Sequence, residues 1–152
     1  MQDPRVPPVR WPAQRGSAIV ELTLLVPLFL LMLLGTADFA RVFYTALSVS
    51  QAARAGVQYG AQDNEKSKDY AGMQKAAQLA AQDIGTLSTV TAGSYCQCAD
   101  SAKVDCVSGT CPEGSPQIYV IVTAGKIFQT LWNYPGIPHN VALSRTAIMR
   151  VQ

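Results

Sequence analysis

Apolar residues dominate one stretch of the chain, residues 17–37, and then recur at regular intervals as far as Val57. About 21 residues, each rising roughly 1.5 Å in a helix, span the ~30 Å hydrocarbon core of a bilayer. Beyond the stretch, apolar positions keep the 3.6-residue period of a helix, so we predict one unbroken helix from Ser17 to about Gly60. This apolar stripe contains Phe39, Val42, Phe43, Ala46, Val49, Ala53 and Val57.

A charged segment, residues 62–70, predicts a loop that leads into a second, shorter helix. Asp69 is a suitable N-cap for this helix, and Gly85 stands where a left-handed residue would end it. The predicted apolar face of the second helix contains Met73, Ala76, Ala77, Ala80 and Ile84.

The rest of the chain has the alternation and β-branched residues typical of strands. Residues 86–95 alternate in part, residues 117–126 are apolar enough to be buried on both faces, and residues 140–152 alternate like a half-exposed antiparallel strand. Between the last two, Pro135 and Gly136 fit the central positions of a type II turn. The predicted fold is therefore α+β: a long N-terminal helix and a short helix packed on a three- or four-stranded antiparallel sheet.

The charge of the chain is concentrated at its N-terminus. Of the net charge of +2, all is present before Gly16, where Arg5, Arg10 and Arg15 outnumber Asp3. Because the remainder is neutral, a general nucleic-acid binder, which needs a basic face, is not indicated. Arginines on the N-terminal side of an apolar span place that side in the cytoplasm and the bulk of the chain outside.

Glu21 is the one ionisable residue within residues 17–37. An acid at the centre of a membrane helix costs about 2.5–3.5 kcal/mol on insertion scales, and such acids usually have a partner. If the chain is cut between Gly16 and Ser17, the new α-ammonium group of Ser17 in one subunit can pair with Glu21 of its neighbour. Gly16 and Ser17 are therefore the candidate leader cleavage site, and Glu21 is a candidate subunit-assembly residue.

Pro27 removes the hydrogen bond to the carbonyl of Thr23 and tends to kink a helix. Two interpretations stay open: a harmless kink, or a weak point at which the helix bends as subunits pack. Further along, Ala52, Gly56 and Gly60 form a narrow helix face. We expect this face to accommodate the domain's own sheet rather than a neighbouring helix.

The stretch RGSAIVELTLLVPLFLLMLLGTADFARVFYTALSVSQAARAGVQYGA, residues 15–61, resembles the TadE-like pseudopilin family of the tight-adherence (Tad, Flp) pilus system. The resemblance is carried by the arginine-glycine pair before SAIVE, by VP at Val26-Pro27, by the aspartate-phenylalanine pair at Asp38-Phe39 and by QAARAGVQYGA. Its first part also resembles the class III signal of type IV pilins. A pilin-like fold is what this resemblance implies in outline.

The resemblance implies a minor pseudopilin, not an enzyme, that is cut by a prepilin peptidase and acts structurally in pilus assembly and surface adhesion. Its expected partners are that peptidase, other pilins and pseudopilins, the inner-membrane assembly platform and membrane lipid. The expected divisions are a cytoplasmic leader (1–16), a transmembrane helix (17–37), an extracytoplasmic continuation (38–62) and a periplasmic or extracellular domain (63–152). The alternative is an independent membrane-anchored binding or sensor domain that keeps its leader.

All four cysteines, Cys96, Cys98, Cys106 and Cys111, lie within one short segment. Their spacing lacks the paired knuckles of a zinc site and the C-x-x-C of a redox site, so no metal is expected. An extracytoplasmic position favours two structural disulfides. Nested pairing, Cys98 with Cys106 and Cys96 with Cys111, suits a hairpin better than crossed pairing, although the connectivity stays open.

Catalytic residues and cofactors are not expected. His139, the one histidine, lies in a proline-rich turn, where a solvated loop residue is the simpler interpretation. Trp132, Tyr134 and Pro135 could form an exposed apolar tip that meets a partner, but aromatic residues of loops usually fold back onto the sheet. We therefore expect the latter.

Overall fold

The computed structural model describes residues 17–133 and 136–152. The proposed leader, residues 1–16, and the first turn residue, Pro135, lie outside the described residues. The chain divides into two compact units, Met1–Ala37 and Asp38–Gln152. Its elements, in chain order, are α1 (Ser17–Gly60), α2 (Tyr70–Ala80), β1 (Thr89–Gln97), β2 (Lys103–Val104), β3 (Gln117–Gln129) and β4 (Asn140–Arg150), with short 3₁₀ turns at Lys66–Lys68 and Gln82–Ile84.

Helix α1 is continuous through Pro27 and ends at Gly60, as predicted. It is the one helix among the described residues that is long and apolar enough to cross a membrane. Its first part, within the unit Met1–Ala37, is apolar on all sides, which is the composition of a helix surrounded by lipid or by other apolar helices.

The four strands form one antiparallel sheet in the order β2-β1-β3-β4. Strand β3 is central, as predicted, and its Val122 lies between Ala92 of β1 and Ala147 of β4. The prediction that β3 is buried on both faces was wrong. Val120 and Val122 are fully buried, whereas Ile121 on the other face is only half-buried. Helices cover one face of the sheet, so only alternate side chains of β3 reach the core.

The core lies between this sheet face and the helices. Val49 and Val57 of α1 meet Met73 of α2 and Val122 of β3, and all four are buried. Of the apolar stripe, Val49, Ala53 and Val57 are buried, whereas the aromatic residues at its start are not. Phe39 and Phe43 are 73% and 58% exposed.

Polar residues replace these aromatics on the buried side of α1. Asp38, Thr45 and Ser48 are buried. Ser48, which is not part of the predicted apolar stripe, donates a hydrogen bond from Oγ to Asp83 Oδ2 at 2.8 Å. Since hydrogen bonds within the unit satisfy these groups, burial does not leave them unpaired. The apolar period therefore could not indicate which side of the helix is covered.

Glycine and alanine let α1 approach its neighbours closely, as expected. A Cβ atom added at Gly56 would lie 2.9 Å from Val122 Cγ1 and 3.0 Å from the carbonyl oxygen of Met73. One added at Gly60 would meet the Met73 side chain, with Sδ at 2.6 Å. Ala52 is fully buried on the same face. This small-residue face is therefore occupied by the domain itself.

Helix α2 begins at the predicted cap. The Asp69 carboxylate accepts a hydrogen bond from the backbone N–H of Gly72 at 2.8 Å. On the predicted apolar face Met73 and Ala77 are buried, but Ala80 is exposed and Ala81 is buried in its place. Gly85 has a positive φ of 76°, as expected, but it follows the 3₁₀ turn rather than α2 itself.

The two disulfides are Cys96–Cys106 and Cys98–Cys111, so the expected nested pairing was wrong. The strand register gives the reason. Cys96 lies opposite Val104, which places Cys106 diagonally across from Cys96 on the same face and further from Cys98. A turn then brings the chain back: Asp105 Oδ1 accepts from the backbone N–H of Val107 at 2.8 Å, and Cys111 reaches Cys98.

Candidate assembly surface

Two of the predicted cleavage and assembly residues, Ser17 and Glu21, lie near the start of α1. Gly16 is outside the described residues, and Ser17 is the first residue of the helix. Glu21 is exposed on the helix surface. The ion pairs within residues 17–133 and 136–152 are Arg41–Asp38 and Lys66–Asp63, so no described cation pairs with Glu21. The described part of one chain does not supply a partner for this carboxylate.

The apolar side chains around Glu21 are equally uncovered within their unit. Leu24 is 73% exposed, and even the more covered Leu25 is 39% exposed. Pro27 lies inside the helix, one turn after Thr23, whose hydroxyl donates to the carbonyl oxygen of Ile19 at 2.7 Å. A helix with this much exposed apolar surface needs lipid or other helices around it.

Asp38, the first residue of the second unit, forms an attachment that the sequence did not indicate. The residue is 5% exposed, and both carboxylate oxygens accept the backbone N–H of Leu131, at 3.1 and 3.0 Å. Arg41 donates to Asp38 Oδ1 at 2.9 Å, and its guanidinium lies 5.1 Å from the centre of the Phe128 ring. In the sequence, the adjacent residues Asp38 and Phe39 were notable only as part of the family resemblance. An acid one turn before an arginine is ordinary in sequence and reveals nothing of a partner 93 residues away.

The loop that Asp38 holds, residues 130–139, connects β3 to β4. The backbone N–H of Thr130 donates to the carbonyl oxygen of His139 at 3.1 Å, which closes the loop at its base. The Thr130 hydroxyl donates to the carbonyl oxygen of Trp132 at 2.8 Å and lies 2.9 Å from His139 Nδ1. Because the one hydroxyl hydrogen is directed at Trp132, His139 Nδ1 is the donor in the second bond. His139 therefore contributes to closing the loop at its base.

This loop exposes apolar side chains instead of folding them back. Trp132 is 65% exposed, which makes the expected packing on the sheet wrong for this residue, while Tyr134 and Pro135 lie outside the described residues. Leu131 and Ile137 are 57% and 53% exposed. These three described apolar side chains of the loop therefore face outward.

Two further carboxylates attach the second half of α1 to its own unit. Tyr44 and Ser48 both donate to Asp83 Oδ2, at 2.7 and 2.8 Å. The Tyr44 and Ser48 hydrogen bonds lower the pKa of Asp83, and the Asp83 bond and charge raise the pKa of Tyr44. These hydrogen bonds cross long sequence separations, so the sequence pattern had not identified them.

The second of these attachments lies at the far end of α1. Tyr59 donates to Asp69 Oδ2 at 2.8 Å. The bond from the Gly72 N–H, followed by the Tyr59 bond, lowers the pKa of Asp69. The N-cap predicted for α2 therefore also holds α2 against α1, a second role that the local sequence did not show.

The described part of the unit Asp38–Gln152 has open clefts on its surface. One of them, of about 610 Å³, is an open groove lined by residues that include Arg41, Tyr44, Asp83 and Lys126. The Lys126 ammonium in this groove is bound to the carbonyl oxygen of Thr86 at 2.6 Å. Within residues 17–133 and 136–152, no group of three or more histidine, cysteine or acidic side chains could hold a metal ion.

Comparison with known proteins identifies one region of the chain. Residues 16–58 match the family of TadE-like proteins. This match confirms the resemblance drawn from the sequence, and it covers the apolar segment together with most of the helix that follows. Neither the curated proteins nor the solved structures compared with the chain gave a match.

Proposed function

From the TadE-like segment at residues 16–58, we propose that the protein is a minor pseudopilin of a Tad-type pilus. The observation that carries the proposal is the coincidence of this segment with a helix of membrane-spanning length whose apolar side chains are exposed within their unit. A pilus-associated protein needs such a helix, because assembly moves subunits between lipid and a bundle of other apolar helices. The protein's role in this proposal is structural, in pilus assembly and in adhesion to surfaces.

Maturation in this proposal is a cut between Gly16 and Ser17 by a prepilin peptidase. The cut gives Ser17 an α-ammonium group at the start of α1, four residues before Glu21. The Glu21 carboxylate, which meets no described cation in its own chain, then pairs with the Ser17 ammonium of a neighbouring subunit. Opposite charges that leave water together offset part of each other's desolvation cost.

The proposed location is the inner membrane, with the leader in the cytoplasm and the unit Asp38–Gln152 outside, from where it enters the pilus. The arginines before Gly16 support this orientation. The disulfides Cys96–Cys106 and Cys98–Cys111 support it as well, because disulfides persist in oxidising compartments. Partners in this setting are the other pilins and pseudopilins and the inner-membrane assembly platform.

The N-terminus of protein extracted from membranes tests the proposal. We expect sequencing to read Ser17 first in a strain that contains the peptidase, and Met1 in a strain that lacks it. Gly16→Leu should abolish the cut because a leucine side chain obstructs the backbone from entering the peptidase, whereas the matched Gly16→Ala should still be cut. An intact leader on the parent protein in its native strain would contradict pseudopilin maturation and favour an anchored binding domain.

A further inference from the structure

The loop between β3 and β4 is held close to the end of the apolar segment. Ala37 ends that segment, and the next residue, Asp38, binds the backbone N–H of Leu131 with both carboxylate oxygens, at 3.1 and 3.0 Å. Ala37 and Asp38 share a peptide bond, so this proximity does not depend on the angle at which the second unit follows the first. Wherever residue 37 leaves the bilayer, the loop is within a few residues' length of that point.

The surface at this place is apolar and aromatic. Within the unit Asp38–Gln152, Phe39 and Phe43 of α1 are 73% and 58% exposed, and Leu131, Trp132 and Ile137 of the loop are 53–65% exposed. Arg41, close by, has a half-exposed side chain. Aromatic residues, tryptophan above all, favour the headgroup region of a membrane, and a basic residue there is attracted to anionic lipids.

We propose that apolar side chains of the loop and of α1 enter the interfacial layer of the bilayer, namely Leu131, Trp132, Ile137, Phe39 and Phe43. In this proposal the hydrogen bonds from the Leu131 N–H to the Asp38 carboxylate hold the loop there. The proposal rests on the proposed membrane span of residues 17–37. The partner of this surface is lipid rather than a second copy of the chain, because Asp38, which binds the loop, directly follows Ala37, the last residue of the proposed span. The loop then acts as a second membrane contact of the subunit before it joins a pilus.

Fluorescence of Trp132 in full-length protein tests the proposal. The chain has two tryptophans, so the variant Trp11→Phe leaves Trp132 as the one reporter. The protein is placed in vesicles of equal parts phosphatidylethanolamine and phosphatidylglycerol, and the vesicle-bound fraction is recovered by flotation. We expect emission shifted to the blue, loss of intensity with lipids brominated near the headgroup, and little loss with aqueous iodide.

A matched control moves the reporter away from the membrane. Val107 is 96% exposed in the disulfide-linked segment, so Val107→Trp in a chain without Trp11 and Trp132 should show strong iodide quenching and no loss with brominated lipid. If Trp132 behaves like this control, the proposal is overturned. A blue shift that vanishes when protein is diluted in excess lipid would show contact with a second copy, and would overturn it equally.

Two variants that each remove a carboxylate test whether Asp38 holds the loop at the membrane. Asp38→Ala should reduce the loss of Trp132 intensity with brominated lipid, because the Leu131 N–H is released. Asp83→Ala, which removes an attachment of α1 that does not involve the loop, should leave that loss unchanged. Equal quenching in both variants would overturn the role of Asp38. Leader cleavage does not depend on Trp132, so failure here and failure of the proposed function are distinguishable.

Discussion

The Tyr44 hydroxyl donates a hydrogen bond to the Asp83 carboxylate at 2.7 Å and so joins two residues 39 positions apart. This bond attaches α1 to the turn that precedes β1. The bond lowers the pKa of Asp83 below its ordinary value of 3.8 and raises that of Tyr44 above 10.0. Folding stability must therefore depend on pH through this pair.

The sign follows from the two shifts. The lowered pKa of Asp83 contributes stability that is complete above pH 3.8 and is lost as the pH falls through the folded-state pKa. The raised pKa of Tyr44 contributes stability that is complete below pH 10.0 and is lost as the pH rises through its folded-state pKa. We predict that Tyr44→Phe lowers stability most at neutral pH. The difference in stability between this variant and the parent protein should become smaller at both low and high pH.

The measurement is the denaturant midpoint of the full-length protein in detergent as a function of pH. Tyr70→Phe is a matched control, because the Tyr70 hydroxyl meets another hydroxyl, Ser94 Oγ, at 2.9 Å and no carboxylate. The difference in denaturant midpoint between Tyr70→Phe and the parent should not become smaller as the pH falls. A Tyr44→Phe difference that stays constant from acid to neutral pH would contradict this explanation.

Close packing at Gly56 predicts an order of glycine substitutions. Gly56→Ala should lower the free energy of unfolding by about 1–3 kcal/mol, since its Cβ would meet the Met73 carbonyl and Val122. Gly60→Ala should cost less because the flexible Met73 side chain can move. Gly35→Ala, with nothing within 4 Å, should cost nothing or stabilise slightly. Chemical unfolding of the three variants measures the order, and a tolerated Gly56→Ala would show that the helix can shift.

The crossed disulfides predict which cysteine pairs can be removed together. In Cys96→Ser with Cys106→Ser, the remaining Cys98 and Cys111 should stay joined, so alkylation without reduction should label no thiol. In Cys96→Ser with Cys111→Ser, the remaining Cys98 and Cys106 belong to different bonds, and both should be labelled. Mass spectrometry counts the labels, and the reverse pattern would restore nested pairing.

Loss of a disulfide should also weaken the domain. A closed loop of 10–15 residues is worth about 3 kcal/mol in the chain-entropy model. We expect denaturant titration to give the first double variant, which retains Cys98–Cys111, a free energy of unfolding lower than the parent's by roughly that amount. Reduction of the parent protein with dithiothreitol should have a larger effect, since it opens both loops.

We predict that Glu21 is required for pilus assembly but not for membrane insertion. Glu21→Leu should give a chain that is stable, membrane-bound and cut after Gly16, because an apolar residue eases insertion. It should nevertheless fail to join pili, since the buried Ser17 ammonium then lacks a counter-charge. Glu21→Asp should assemble into pili more than Glu21→Leu but less than the parent protein. Pilus yield and co-purification with other pilins in a deletion strain measure this outcome.

A matched control for Glu21 is Glu113→Leu, which replaces an exposed acid of the second unit. It should leave pilus yield unchanged. Normal pili from Glu21→Leu would show that the acid serves another purpose, and the same loss from Glu113→Leu would show that net charge rather than position is decisive.

Local sequence by itself determined the elements of this protein. The 3.6-residue period set the length of α1, the Asp69 cap set the start of α2, and the apolar run at residues 117–126 identified the central strand. The TadE-like match also rests on residues that are contiguous in the chain. Such features depend on backbone preferences and neighbouring side chains, so they can be recognised without knowing the fold.

Only the tertiary structure decided which surfaces are covered and which residues meet. It buried Asp38 and Ser48 rather than Phe39 and Phe43, and it paired Cys96 with Cys106. A buried carboxylate is stable only where a distant N–H, here that of Leu131, happens to satisfy it, and a cysteine's partner depends on strand register. Hydrophobic period carries neither kind of information, because both arise from contacts between segments that fold together from remote parts of the chain.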